Sequence, residues 1–226
     1  MRTALPVPLF ISLKHRHLSA NLKRQTNLLS KLSERLAVGL ARSSVIQNED
    51  VELYAYGFYI LISKLLFLII SLIFGVILNI VLESLVFYVL FSIIRAYAGG
   101  VHADKEWMCF FYTSISIIMC ALGLKLLISF ELTCVYVSLL IASSLIIIIF
   151  SPLDTEEKPL SKNEKEKYSI ISLLLLLIYL VISLALIITG VQRICYSICV
   201  ADSLEAILLS AGKIKQVSNK KKRHTI

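Results

Sequence analysis

Apolar residues in this chain come in long, uninterrupted blocks. Phe58 to Val81, Cys109 to Ser129, Leu132 to Phe150 and Ser169 to Val191 each approach the ~20 residues a helix needs to cross the hydrocarbon core. They predict four membrane spans. Two further stretches are weaker: Leu85 to Ile94 is short, and Ile194 to Ala211 carries Asp202 and Glu205. Counted as spans, they give an all-α polytopic bundle of six. Very short turns are then expected near Glu83, Glu131 and Gln192–Arg193. Ahead of the bundle, Leu22, Leu29, Leu32, Leu36 and Leu40 recur near the helical period among Lys23, Arg24, Lys31, Arg35 and Arg42. That pattern predicts a basic amphipathic helix from Leu18 onward, lying on a membrane surface. Leu5 to Leu13 is too short to span, is broken by Pro6 and Pro8, and lacks the small-residue cleavage site of a signal peptide.

Composition rules out the soluble alternative. An ordinary soluble domain is about a quarter charged; this chain is 17% charged and 58% hydrophobic, with a mean hydropathy of +0.83. Its net charge of +8 would suit nucleic acid, but the basic residues lie between and outside the apolar blocks. All except Lys64, Lys125 and Arg193 fall in residues 1–50, the central loop 95–108, the loop 151–168 or the end 213–226. The positive-inside bias therefore places these segments, and both termini, in the cytoplasm. The expected organisation is an amino-terminal extension and interfacial helix (1–50), a membrane-embedded domain (51–212) and a basic cytoplasmic tail (213–226). Membrane lipid is the implied partner, and nucleic acid is not expected.

Charged residues inside the spans have two readings. Lys64 and Lys125 can snorkel to the nearer headgroups. Asp202 and Glu205 either face the protein interior or mark a last segment lying partly in the interface. Intramembrane acids also fit a small peptide transporter without catalytic activity, although no inverted repeat is visible. The five cysteines, Cys109, Cys120, Cys134, Cys195 and Cys199, contain no C-x-x-C. No disulfide framework, metal site or cofactor is expected, despite the helical-turn spacing of Cys195 and Cys199.

One loop gathers reactive side chains: RAYAGGVHADKEWMC, Arg95 to Cys109. A thiolate is the reactive form of cysteine, and the amino end of a helix or a neighbouring His favours that anion. Cys109 begins an apolar block, where such a helix end is expected. His102 lies seven residues earlier, about 10 Å along a continuous helix, so the pair can meet only if the chain folds back. Gly99–Gly100 supply backbone freedom for a reversal, and Asp104 to Glu106 suit a turn. A Cys–His dyad follows as a candidate. The residues alone also allow Gly99–Gly100 simply to turn the chain between two helices. Arg95 can hold a substrate carboxylate, or contact lipid phosphate or backbone carbonyls. Asp104 is the nearest acid for a third catalytic role.

The spacing R-x-x-x-G-G-x-H-A-x-x-x-x-x-C, formed by Arg95, Gly99, Gly100, His102, Ala103 and Cys109, resembles the signature of the accessory gene regulator B family. LSERLA at Leu32 to Ala37, Tyr54, Tyr56–Gly57 and PLDTEEKPL at Pro152 to Leu160 extend the likeness over roughly residues 30 to 212. The resemblance implies a bacterial cell-membrane cysteine endopeptidase. Such an enzyme removes the carboxy-terminal segment of a quorum-sensing pro-peptide and promotes closure of the remainder into a thiolactone or lactone. By motif position Cys109 is then the nucleophile and His102 its base. The family tends to carry Ser four residues after the Cys, where this chain has Thr113 followed by Ser114. The implied substrate is an amphipathic pro-peptide with an acidic tail. Whether a second copy of the chain takes part is left open.

Overall fold

A computed structural model of the chain describes residues 28–100, 106–131, 133–154 and 160–224. Its regular elements are helices: α1 (Leu28–Arg42), a 3-10 turn (Asn48–Asp50), α2 (Val51–Ile77), α3 (Val81–Ala98), α4 (Glu106–Phe130), α5 (Thr133–Phe150), α6 (Lys162–Ile188) and α7 (Gln192–His224). The chain divides into two units, Met1–Leu66 and Phe67–Ile226, with the boundary inside α2.

In the first unit, α1 is the described part of the expected amphipathic helix; residues 18–27 lie outside the described residues. Small Ser30, Ser33 and Ala37 are its buried residues, while Leu28, Leu32 and Leu36 stay exposed. An uncovered leucine row beside Lys31 and Arg35 is the surface that a headgroup–acyl boundary accommodates.

Five helices are long and apolar enough to cross a membrane: Asn48–Ile77, Val81–Ala98, Met108–Phe130, Lys162–Ile188 and Gln192–Ser218. The sixth expected span is a shorter apolar helix, Cys134–Phe150; Leu132 lies outside the described residues. The expected first span, Phe58 to Val81, is displaced. α2 begins earlier and ends at Ile77, and Asn79, at φ 57°, turns the chain into α3. α3 is longer than Leu85 to Ile94, taking in Glu83 in its first turn and Arg95 in its last, both paired with α7.

The second unit is packed inside out relative to a soluble protein. α6 turns Ser172, Leu176, Tyr179 and Ser183 inward and leaves Leu173, Leu177, Leu180 and Leu184 exposed. Small hydroxyl residues let helices approach closely where lipid supplies no hydrophobic drive between them. Ser71, Ser84, Ser143, Ser144 and Ser197 are buried in the same way. Gly75 is closely approached by Ser84, whose side chain would meet a Cβ at 3.0 Å, and the Ser71 hydroxyl donates to the Ser84 carbonyl at 3.1 Å. The Tyr179 hydroxyl donates to the Leu90 carbonyl, tying α6 to α3.

α7 is the central helix. It packs against α3, α4, α5 and α6, and 67% of its span is buried, against 39% or less for the other four. Two ion pairs join it to α3: Arg193 Nε to Glu83 Oε1 at 2.8 Å, and Arg95 Nη1 to Glu205 Oε1 at 3.7 Å. Glu83 and Arg95 are separated by the same number of residues as Arg193 and Glu205, with the signs reversed. That arrangement holds the two helices parallel and in register.

At the carboxy end of α3, several chain ends converge. Tyr97 meets Tyr168 of α6 edge to face, and Gln216 of α7 donates to the Asp154 carbonyl at 3.0 Å. The Asp154 carboxylate accepts from the Leu160 N–H and pairs with Lys165 at 2.6 Å. Ser161 caps α6 through a reciprocal box with Glu164. Replacing Ser161 by Ala removes a cap generally worth about 1 kcal/mol. Hydrogen exchange at the first turn of α6 should accelerate about fivefold while the amides of α7 are unchanged.

Candidate functional site

α3 ends where two glycines succeed Ala98. Gly99 has φ 84° and Gly100 φ 143°, a region that L side chains rarely adopt. The Gly99 N–H closes the helix on the Arg95 carbonyl at 3.3 Å. Leu153, from the loop after α5, then lays its backbone against this turn: its N–H donates to the Ala98 carbonyl at 2.9 Å, forming a single parallel bridge between Gly99 and Leu153. A Cβ on Gly99 would lie 2.8 Å from the Leu153 carbonyl oxygen. The Gly-Gly motif and the start of the PLDTEEKPL loop therefore touch through backbone. Residues 155–159 of that loop lie outside the described residues.

Arg95 folds back over the end of its own helix. Its Nη1 donates to the Gly99 carbonyl at 2.6 Å and lies 3.7 Å from Glu205. The same guanidinium fills the place where a Gly100 side chain would be, since a Cβ there would come within 1.4 Å of Nη1. The two glycines thus do more than turn the chain: one admits the Leu153 backbone, the other admits Arg95. Of the contacts open to Arg95 from sequence, a backbone carbonyl is observed, together with an acid on another helix.

Glu205 and Asp202 face the interior of the second unit; both are fully buried. The reading of this segment as partly interfacial is thereby replaced by a central helix. The Asp202 carboxylate has no hydrogen-bond partner among the described residues. Breaking a buried ion pair by removing one partner generally costs about 3–5 kcal/mol, so Arg95 and Glu205 depend on each other. Sequence reasoning did not connect Glu205 with the motif. The signal was present as the matched, sign-reversed spacing of Glu83–Arg95 and Arg193–Glu205.

Cys109 is the fourth residue of α4 and a partly exposed free thiol. Its neighbour Phe110 stacks on Phe67 at 5.0 Å, fixing this end of α4 against α2. Backbone N–H groups at a helix start lack intrahelical partners and favour an anion. Thr113, one turn on, is half-buried. Ser114 spends its hydroxyl on the Phe110 carbonyl at 2.8 Å. His102 and Asp104 lie outside the described residues. Arg95, Gly99 and Gly100 are therefore brought together with Leu153 and Glu205. The described chain stops at Gly100 and resumes at Glu106, three residues before Cys109. Cys195 and Cys199 point away from this region, their sulfurs donating to the Ser183 and Tyr136 carbonyls.

Comparison with known proteins adds three findings. The family model described as accessory gene regulator B matches residues 33–209. AgrB-like protein 2 of Clostridium perfringens (strain 13 / Type A) is 33% identical over 146 residues, covering 62% of this chain and 68% of that protein. A second AgrB-like protein, from Clostridium perfringens (strain SM101 / Type A), is 32% identical over 148 residues with the same coverage. No solved structure matches the chain.

Proposed function

The chain belongs to the accessory gene regulator B family, a family of quorum-sensing peptide processing, and we propose that it is the membrane-bound cysteine endopeptidase of such a system. In this reading the Cys109 thiolate attacks the scissile carbonyl of a bound pro-peptide. His102 accepts the thiol proton and returns it to the departing amine. The carboxy-terminal segment leaves with a free amino terminus, and the remaining peptide stays as a thioester on Cys109. A thiol or hydroxyl within that peptide then attacks the thioester, giving a thiolactone or lactone and restoring Cys109. Attack by water would give a linear acid instead. A site at the membrane surface favours ring closure by limiting water and holding the amphipathic peptide in place.

The observation that carries the reading is the placement of a partly exposed free thiol at the start of α4, just after a backbone turn pinned by Arg95 and Leu153. The topology proposed with it has six crossings, α5 being the short one, and both termini in the cytoplasm. The ends gathered around Leu153 carry Lys162, Lys165, Lys167, Lys213 and Lys215, as the positive-inside bias requires of a cytoplasmic face. The same lysines would attract the acidic tail of a precursor.

The test mixes full-length protein with a synthetic amphipathic peptide bearing an internal Cys and an acidic tail, followed by mass spectrometry. The expected result is a peptide adduct on Cys109, with His102→Gln reducing its formation at least about a hundredfold. Cleavage proceeding with an adduct on another residue, or with none on Cys109, would reject the assignment. Transport of labelled peptide into reconstituted vesicles by a Cys109→Ala protein would favour the transporter instead.

A further inference from the structure

Each ion pair between α3 and α7 has one buried and one more open partner, but the two ends of the helix pair are built differently. At one end Arg193 is 57% exposed and needs only to reach Glu83. At the other, the carboxylate is fully buried on the central helix and the arginine reaches beyond it to the Gly99 carbonyl. An arginine with no acid beside it would extend toward lipid phosphates. Glu205 opposes that escape from one side, and the absent side chain of Gly100 leaves the guanidinium its place on the other. With Arg95 held, the Gly99 carbonyl is fixed and the Leu153 strand-like contact sits on a defined surface.

We propose that Glu205 is a positioning residue of the peptidase site: from α7 it holds Arg95, and through Arg95 it fixes the Gly99–Gly100 turn from which the loop to Cys109 departs. The inference deepens the peptidase reading and rests on it for its catalytic meaning. Its structural content is separate and separately measurable. Glu205 acts through Arg95 on the described turn that precedes residues 101–105, not on the scissile bond.

The experiment uses the full-length protein in lipid nanodiscs and reads hydrogen exchange at the Gly99 and Leu153 amides, both hydrogen-bonded at the turn. Glu205→Gln should accelerate exchange at these amides at least about tenfold, leaving amides 87–94 in mid-α3 unchanged. Glu205→Asp, which keeps the charge, should restore much of the protection. Glu83→Gln breaks the pair at the far end and should leave the turn protected. Wild-type exchange at the turn in Glu205→Gln, or acceleration spread evenly along α3 and α7, would overturn the proposal. The second outcome would mean that the pair merely holds the fold.

A second measurement connects the turn to the thiol. Iodoacetamide labelling of Cys109, normalised to the exposed Cys134, should change at least about threefold in Glu205→Gln, in the same direction as in His102→Gln. If His102→Gln leaves Cys109 labelling unchanged, the dyad reading fails, while the exchange result still decides the role of Glu205. If His102→Gln alters labelling and Glu205→Gln does not, the positioning role fails and the dyad survives.

Discussion

Replacing Cys109 by Ala is expected to lower pro-peptide cleavage at least about a thousandfold, because removal of a covalent nucleophile leaves only binding and electrostatic assistance. The fold should tolerate the change. Cys109 is partly exposed, and the packing at this end of α4 comes from Phe110 on Phe67. Yield and exchange protection of the purified variant should therefore equal those of the wild type, and its binding of the pro-peptide should fall by less than about twofold. Cys109→Ser is a sharper probe. Its hydroxyl is a far weaker nucleophile at neutral pH, so turnover should collapse to a similar extent. Any residual acyl-enzyme would be an oxygen ester, which is a poorer donor to an internal thiol than a thioester. Quantifying released carboxy-terminal segment by mass spectrometry checks both variants. Undiminished cleavage by Cys109→Ala would remove the nucleophile assignment altogether.

Apolar length exposed most of the bundle in the sequence and obscured its centre. α2, α4 and α6 announce themselves because each leaves a long side of large apolar residues exposed. α7 was weak by the same criterion because it touches protein on most sides, so it can carry Ser197, Asp202 and Glu205 at buried positions. In a membrane the most enclosed helix is free to be the most polar, and hydropathy then ranks it last. The stretch from Leu85 to Ile94 looked short for a related reason. Glu83 and Arg95 look like the limits of an apolar run, yet both are answered by charges on α7, and α3 extends past each of them. Within the motif, the spacing of Arg95, Gly99, Gly100 and Cys109 was readable, because rare residue types at fixed offsets stand out against Leu and Ile. The partners of that motif were not. Leu153 contributes backbone, which has no sequence signature, and Glu205 lies more than a hundred residues away.

The Gly100 position follows from that partnership, and Gly100→Ala should be among the most damaging single-methyl changes in the protein. The added Cβ would enter the space of the Arg95 guanidinium, at 1.4 Å from Nη1, on a backbone at φ 143°. Arg95 is flexible, so the clash resolves by its withdrawal rather than by unfolding. Withdrawal strips the Gly99 carbonyl of its donor and leaves Glu205 buried without its cation. Backbone strain adds about 1–3 kcal/mol. The loop to Cys109 then starts from a shifted turn, and a misplacement of about 1 Å in a catalytic group generally costs about a hundredfold in rate. Cleavage should fall by that order, with the loss in kcat rather than KM. Gly123→Ala is the matched control: it sits within α4, nothing lies within 4 Å of its added Cβ, and a helix interior gains up to about 1 kcal/mol from the change. Equal activity in the two alanine variants would show that the turn and its arginine do not govern the reaction. A Gly100→Ala protein whose loss is restored by shortening the arginine, as Arg95→Ala, would instead assign the damage to the clash itself rather than to the missing contacts.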